Sequence, residues 1–238
     1  MLHQISDDAK CDSLKPYSIS NKSFIKLLDY LEKYNYCTTT LSEIFEDNLN
    51  NRNNKKKVII TIDDCYRTLF EFAIPELEKR NMKAVFFMPT AHMGAYNSWD
   101  ADKGRARLEI MNENELHDLS KLNMEIGSHG HQHLSYKCFT DTEISTQLKM
   151  SKDIIENITE NKTTSFAYPF GDVPLNYRDL LPSSGYNNAC AIYHPKGDRF
   201  ALRRFIYHDN DTDLTLKRKL SLSYKILRNV YDAVKSYK

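Results

Sequence analysis

The chain is poor in the residues that interrupt regular structure, with 7 glycines and 7 prolines among 238 residues. That excludes collagen-like and broadly disordered classes. An excess of charge of one sign is missing too. Lys and Arg number 33 against 32 Asp and Glu, a formal net charge of +1, so composition gives no electrostatic reason for a nucleic-acid or anionic-membrane partner. No apolar run approaches the roughly 20 residues of a membrane span; the longest, Val58–Ile62 and Ala84–Met88, suit buried strands. The cysteines (Cys11, Cys37, Cys65, Cys138 and Cys190) show no CxxC spacing and read as free thiols in a reducing compartment. Met1–Lys10 carries no basic segment followed by an apolar one, so the expected location is the cytoplasm.

What is present is an alternating pattern. Phe24, Leu27, Leu28 and Leu31 fall at i, i+3, i+4 and i+7, which predicts an amphipathic helix. The polar stretch Asn48–Lys57 reads as a solvated loop before the strand Val58–Ile62. Phe70, Ala73, Ile74 and Leu77 outline a helix, and Ala84–Met88 a second strand. Asn112 with Glu115, and Thr140 with Glu143, read as capping boxes opening two further helices. Strands are expected at Met124–Gly127, Ser165–Tyr168 and Ala189–Ile192, and a closing helix at Asp213–Tyr237. This β-α rhythm predicts one α/β domain over residues 1–238, with a mostly parallel sheet or barrel. Residues 1–57 hold the N-terminal helix and polar loop, 58–206 the motif-bearing core, and 207–238 a C-terminal helical extension.

Three motifs each follow a predicted strand. In Thr61-Ile62-Asp63-Asp64-Cys65, two adjacent carboxylates cannot both enter an apolar core unpaired. A metal, or a base beside a metal, accounts for them; capping of the next helix is the plainer alternative. In Ser128-His129-Gly130-His131-Gln132-His133, histidines four apart on a helical turn would share one face and one ion. An extended segment would instead let His131 compete as a ligand. The third motif, Phe166-Ala167-Tyr168-Pro169-Phe170-Gly171-Asp172, is by itself a strand end with turn residues. In α/β barrels such strand ends share the catalytic face.

In this order the motifs resemble the polysaccharide deacetylase family, also known as the NodB-homology domain or carbohydrate esterase family 4. Its pattern is T-F-D-D-G, then H-[ST]-x-x-H, then a Pro-aromatic-Gly turn. Leu2-His3-Gln4-Ile5 and Ala84-Val85-Phe86-Phe87 are similar to its flanking Y-H-x-I and A-T-F-F segments, and the branch with F-A-Y-P-Y-G includes poly-N-acetylglucosamine deacetylases. The likeness runs from the N-terminus to Ile206. It implies a distorted (β/α) barrel of about seven strands, with a metal site at their C-terminal ends. It also implies a hydrolase that removes N-acetyl groups from an amino sugar, oligosaccharide or polysaccharide. Asp64, His129 and His133 would bind one divalent ion, zinc first, with cobalt, nickel, iron or manganese tolerated. Asp63 would be the general base, and the Phe170 N–H the oxyanion donor.

Three departures from the family pattern stand out. Cys65 replaces the usual glycine, where its thiol could also reach the metal. The Arg that orients the base is absent from the third motif, and Arg204 is the substitute. His208 is the nearest candidate for the general acid. Asp100 beside Trp99 lines the substrate groove or anchors a loop. The partner implied is an N-acetylated glycan or sugar conjugate, with no nucleic acid and no membrane span. The competing readings are a catalytically impaired glycan-binding member of the same fold and a 2-His-1-carboxylate iron oxygenase.

Overall fold

The computed structural model describes residues 1–15, 17–46, 56–194, 197–224 and 226–228. The chain opens with β1 (Gln4–Ile5), paired in parallel with β2 (Ser18–Ile19), and then α1 (Asn21–Lys33). Ser20 caps α1 by accepting the Ser23 N–H, and the expected stripe Phe24, Leu27, Leu28 and Leu31 is buried. Each such side chain contributes about 1.5–3 kcal/mol. β3 (Tyr36–Thr38), α2 (Leu41–Glu46) and β4 (Lys56–Val58) follow, with β3 and β4 forming a second small parallel pair.

The principal sheet holds β5 (Thr61–Asp63), β6 (Val85–Met88), β7 (Glu125–Ser128), β8 (Ser165–Ala167), β9 (Asn188–Ala191) and β10 (Leu202–Arg203). These lie side by side in the order β10-β9-β8-β7-β6-β5, every neighbour parallel. α3 (Ala73–Lys79), α4 (Ser98–Ala101), α5 (Glu113–Lys121), α6 (Asp141–Thr159) and α7 (Tyr177–Ser183) connect them, and α8 (Asp213–Lys219) follows the last strand. Both predicted capping boxes form, Asn112 with Glu115 on α5 and Thr140 with Glu143 on α6. Among the described residues, no helix is long and apolar enough to cross a membrane.

Several expectations are corrected. The principal sheet has six strands among the described residues, not seven. The gap beside β5 is spanned by the first two residues. The Leu2 N–H donates to Thr61 O at 2.8 Å and Leu2 O accepts from Asp63 N–H at 2.9 Å, while Met1 meets Phe205 and Tyr207 across the other side. The run Val58–Ile62 is two strands, because the chain leaves the β3 pairing at Val58 and enters the principal sheet at Thr61. The helix outlined by Phe70 to Leu77 begins as a 3-10 turn at Arg67–Phe70 and resumes as α3. The closing helix breaks at Leu220–Ser221 and continues over 222–224 and 226–228; its end at 229–238 lies outside the described residues. Most of the predicted polar loop, residues 48–55, also lies outside them.

Because all six strands are parallel, their C-terminal ends share one face. Asp63 ends β5, His129 follows β7, Tyr168–Gly171 follows β8, and Arg204 follows β10. Residues up to 141 apart in sequence thereby come within bonding distance.

Candidate metal centre and catalytic cleft

A cavity of about 280 Å³ opens on this face and is lined by Asp63, Asp64, His129, His133 and Phe170. Asp64 and His129 Nε2 stand 3.5 Å apart, and Asp64 and His133 Nε2 stand 3.3 Å apart. One ligand atom from each of the three residues lies within 4.8 Å of the others, and all three residues are buried. Asp64 Oδ1 and His133 Nδ1 are buried without a hydrogen-bond partner among the described residues. An orphaned carboxylate oxygen facing two imidazoles is costly unless a cation satisfies it. Burial raises the Asp64 carboxyl, lowers the His129 imidazole and pushes His133 down to about 3. Both rings are therefore neutral at pH 7, the form that ligates metal.

The surroundings orient these groups. His129 Nδ1 sits 2.7 Å from Ala167 O, a contact that requires the proton on Nδ1 and leaves the Nε2 lone pair toward Asp64. His133 stacks on Trp99 with ring centroids 3.9 Å apart, and Phe170 meets the His133 ring edge-on at 4.8 Å. The set of two nitrogens and one carboxylate fits zinc and its divalent neighbours.

The two histidines do not ride on a helical turn. Gly130 has φ +76° and His133 φ +50°, so the backbone reverses hand twice between β7 and Tyr136 and brings the rings together. His131 is drawn aside by Thr90, its Nδ1 lying 2.9 Å from the Thr90 hydroxyl. A Cβ at Gly130 would stand 2.7 Å from the hydroxyl oxygen of buried Tyr136. Gly130→Ala is therefore expected to lower stability by about 1–3 kcal/mol and to weaken metal retention. An unchanged denaturation midpoint would contradict this.

Asp63 is held differently from its neighbour. The Arg204 guanidinium grips it with two bonds, Nη1 to Oδ1 at 2.6 Å and Nη2 to Oδ2 at 2.8 Å. Arg204 also donates to Thr61 Oγ1 and Ala191 O. Burial alone would raise the Asp63 carboxyl, but Arg204, with lesser help from His129 and His3, holds it well below the usual carboxylate range. Two adjacent carboxylates thus have opposite surroundings, one ion-paired and one awaiting a cation.

The pairing predicts a pH dependence. A depressed folded pKa contributes stability above the unfolded value of about 3.9 and loses it as pH falls further. In Arg204→Gln, a buried Asp63 charge lacks its partner and should cost about 3–5 kcal/mol at pH 7. Denaturant titrations should show the gap to wild type narrowing below about pH 4. A pH-independent gap would refute the pairing's role.

The remaining predicted residues divide. Cys65 takes φ +50°, the left-handed conformation that favours glycine, and its fully buried side chain joins the apolar core. It therefore belongs neither to the cleft lining nor to the ligand cluster. Asp64 and Phe170 also have positive φ, at +72° and +59°, and such strain gathers at functional sites. Gly171 N–H and Asp172 N–H close the turn at Tyr168 O and Pro169 O, and the Phe170 N–H has no partner among the described residues. Trp99 and Asp100 both line the cleft, where Asp100 pairs with Arg105 at 2.6 Å.

His208 does not line the cleft. Its N–H donates to Asp211, and its side chain lines a neighbouring cavity, because the chain turns away after Arg204. The histidine that does enter is His3, with Nε2 3.8 Å from Asp63 Oδ2. Its local signal was the segment Leu2-His3-Gln4-Ile5; its placement depends on the Leu2–Ile62 bridge. Tyr66, whose hydroxyl interacts with Asp64, and Lys103 also line the cleft without having been singled out.

The chain is similar in sequence and fold to known proteins. A poly-beta-1,6-N-acetyl-D-glucosamine N-deacetylase of Staphylococcus aureus is 23% identical over 219 residues, covering 86% of this chain and 73% of that protein. The deacetylase PplD of Streptococcus pyogenes, solved with acetate, has a similar fold, with a TM-score of 0.78, 19% identity and coverage of 93% and 96% of the two chains. IcaB of Ammonifex degensii gives a TM-score of 0.73 at 19% identity, over 92% and 94%. The polysaccharide deacetylase family model matches residues 50–189, more than half of the length, and the chain belongs to that family.

Proposed function

We propose that this chain is a metal-dependent hydrolase that removes N-acetyl groups from a β-linked N-acetylglucosamine polymer or oligomer. The observation that carries the reading is the division of labour between Asp63 and Asp64, one gripped by Arg204 and the other beside two neutral imidazoles. The name of the Staphylococcus aureus relative supports the sugar. Asp64, His129 and His133 would hold the ion, zinc being the first choice for this donor set. When bound, it would polarise the amide carbonyl and acidify a water.

Asp63 accepts the water's proton, and Arg204 keeps that carboxylate ionised and aimed. The Phe170 N–H stabilises the tetrahedral oxyanion, a contribution of about 2.7–4 kcal/mol for one such donor. The amine must leave protonated, and we assign His3, in place of His208, to relay to it the proton that Asp63 takes from the water, since burial lowers the His3 imidazole and leaves it neutral at rest. The approach of His3 to Asp63 supports the assignment. The free thiols Cys11, Cys37, Cys65 and Cys190 support a reducing, cytoplasmic setting.

The iron oxygenase reading gives Asp63 no task, and the impaired-binder reading loses its main support now that Cys65 packs in the core. The test is acetate release from a neutral N-acetylglucosamine oligomer by the metal-loaded chain. Equal yields of acetate and free amine are expected. His3→Gln should lower kcat about 10²-fold or more with metal content unchanged, and His208→Gln should stay near wild type. The opposite ranking would return the acid role to His208, and no acetate from any oligomer would end the deacetylase reading.

A further inference from the structure

A second cavity, of about 340 Å³, lies between the segment after β10 and the C-terminal helical stretch. Among the described residues its lining carries Arg218, Lys219, Arg228 and His208, with Arg204 at the wall, and no carboxylate. Behind the lining, Asp211 holds Lys219 at 2.5 Å. Arg228 donates to Ile192 O at 2.8 Å and lies 5.1 Å and 5.9 Å from the ring centroids of Tyr193 and Tyr224. Arg218 is exposed, and no acceptor among the described residues takes its guanidinium. Cations beside flat aromatic faces suit an anionic saccharide. A guanidinium fork matches phosphate oxygens, and tyrosine rings offer a surface to a sugar face.

The cavity adjoins the reaction centre. Ile192 lines both cavities, and Arg204 lines this one while its guanidinium grips Asp63 in the other. We propose that it is a subsite for a phosphate group carried by the glycan, so that the substrate class is a phosphate-bearing N-acetylated saccharide. This rests on the deacetylase reading above.

The experiment compares kcat/KM for acetate release from a neutral N-acetylglucosamine oligomer and from the same oligomer bearing a phosphate monoester. It uses the metal-loaded full chain at fixed ionic strength, as wild type, Arg218→Gln and Arg218→Glu. Binding of inorganic phosphate is titrated calorimetrically in parallel. Wild type should prefer the phosphorylated oligomer roughly tenfold or more, and the preference should fall in Arg218→Gln and vanish in Arg218→Glu. Phosphate binding should weaken in the same order, which separates this cavity from phosphate held at the metal. Absence of a preference in wild type, or a preference kept by Arg218→Glu, would overturn the proposal. Failure of the deacetylase reading looks different, with neither oligomer releasing acetate while phosphate binding still responds to Arg218.

Discussion

Asp63→Asn is expected to lower kcat for acetate release by about 10²–10⁴-fold with metal content unchanged. The amide keeps the shape of the side chain but cannot accept the water's proton. The loss belongs to the transition state, so kcat and kcat/KM should fall together and KM should move little. The substitution also strands the Arg204 guanidinium, which Asp63 now meets at 2.6 Å and 2.8 Å. Near-ultraviolet circular dichroism and a denaturation curve on the same sample separate misfolding from lost catalysis. Arg204→Lys keeps a positive charge but loses the fork, and should cost less than Asp63→Asn. A variant Asp63→Asn within a few-fold of wild type would make Asp63 a structural partner of Arg204 and nothing more.

The second large effect concerns stability. Asp64 is buried with one oxygen that has no hydrogen-bond partner among the described residues, and burial raises its pKa. A raised folded pKa means that the ionised carboxylate opposes folding at neutral pH. A bound divalent ion reverses this by giving the charge a partner. At a free metal concentration 100 times the Kd, binding adds about 2.7 kcal/mol, or a rise in Tm of about 5–10 °C for a chain of this size. Chelation should remove that increment. Asp64→Ala should abolish the response and relieve the metal-free protein of the buried carboxylate's penalty. A wild-type Tm indifferent to both metal and chelator would contradict the assignment of the ligands.

Legibility from the sequence followed the range of the interactions. The caps of α5 and α6 are local, three residues from donor to acceptor, and were readable at Asn112–Glu115 and Thr140–Glu143. The three motifs were readable because each follows a strand in a parallel sheet, where strand ends converge whatever the distance along the chain. Arg204 was readable only through the resemblance, whose related branch carries an Arg near that position, because the two-residue β10 before it has no periodicity of its own. His3 lacked such a signal. Its position is set by the pairing of Leu2 with Thr61 and Asp63, a contact across nearly 60 residues. The histidine turn was misread because spacing of four suits a helix, whereas positive φ at Gly130 and His133 achieves the same convergence. Cys65 was the opposite case. The missing glycine cast doubt on the site, yet the strained backbone is retained and the thiol turns inward.

The central claim is that Asp64, His129 and His133 hold the ion on which acetate release depends. It is tested most directly by elemental analysis of wild type and His129→Ala, purified without chelators, with acetate release assayed on the same samples. The account predicts near-stoichiometric metal in wild type, and loss of both metal and acetate release in the variant. Metal-free wild type that still releases acetate, or a His129→Ala variant that keeps both metal and activity, would contradict it.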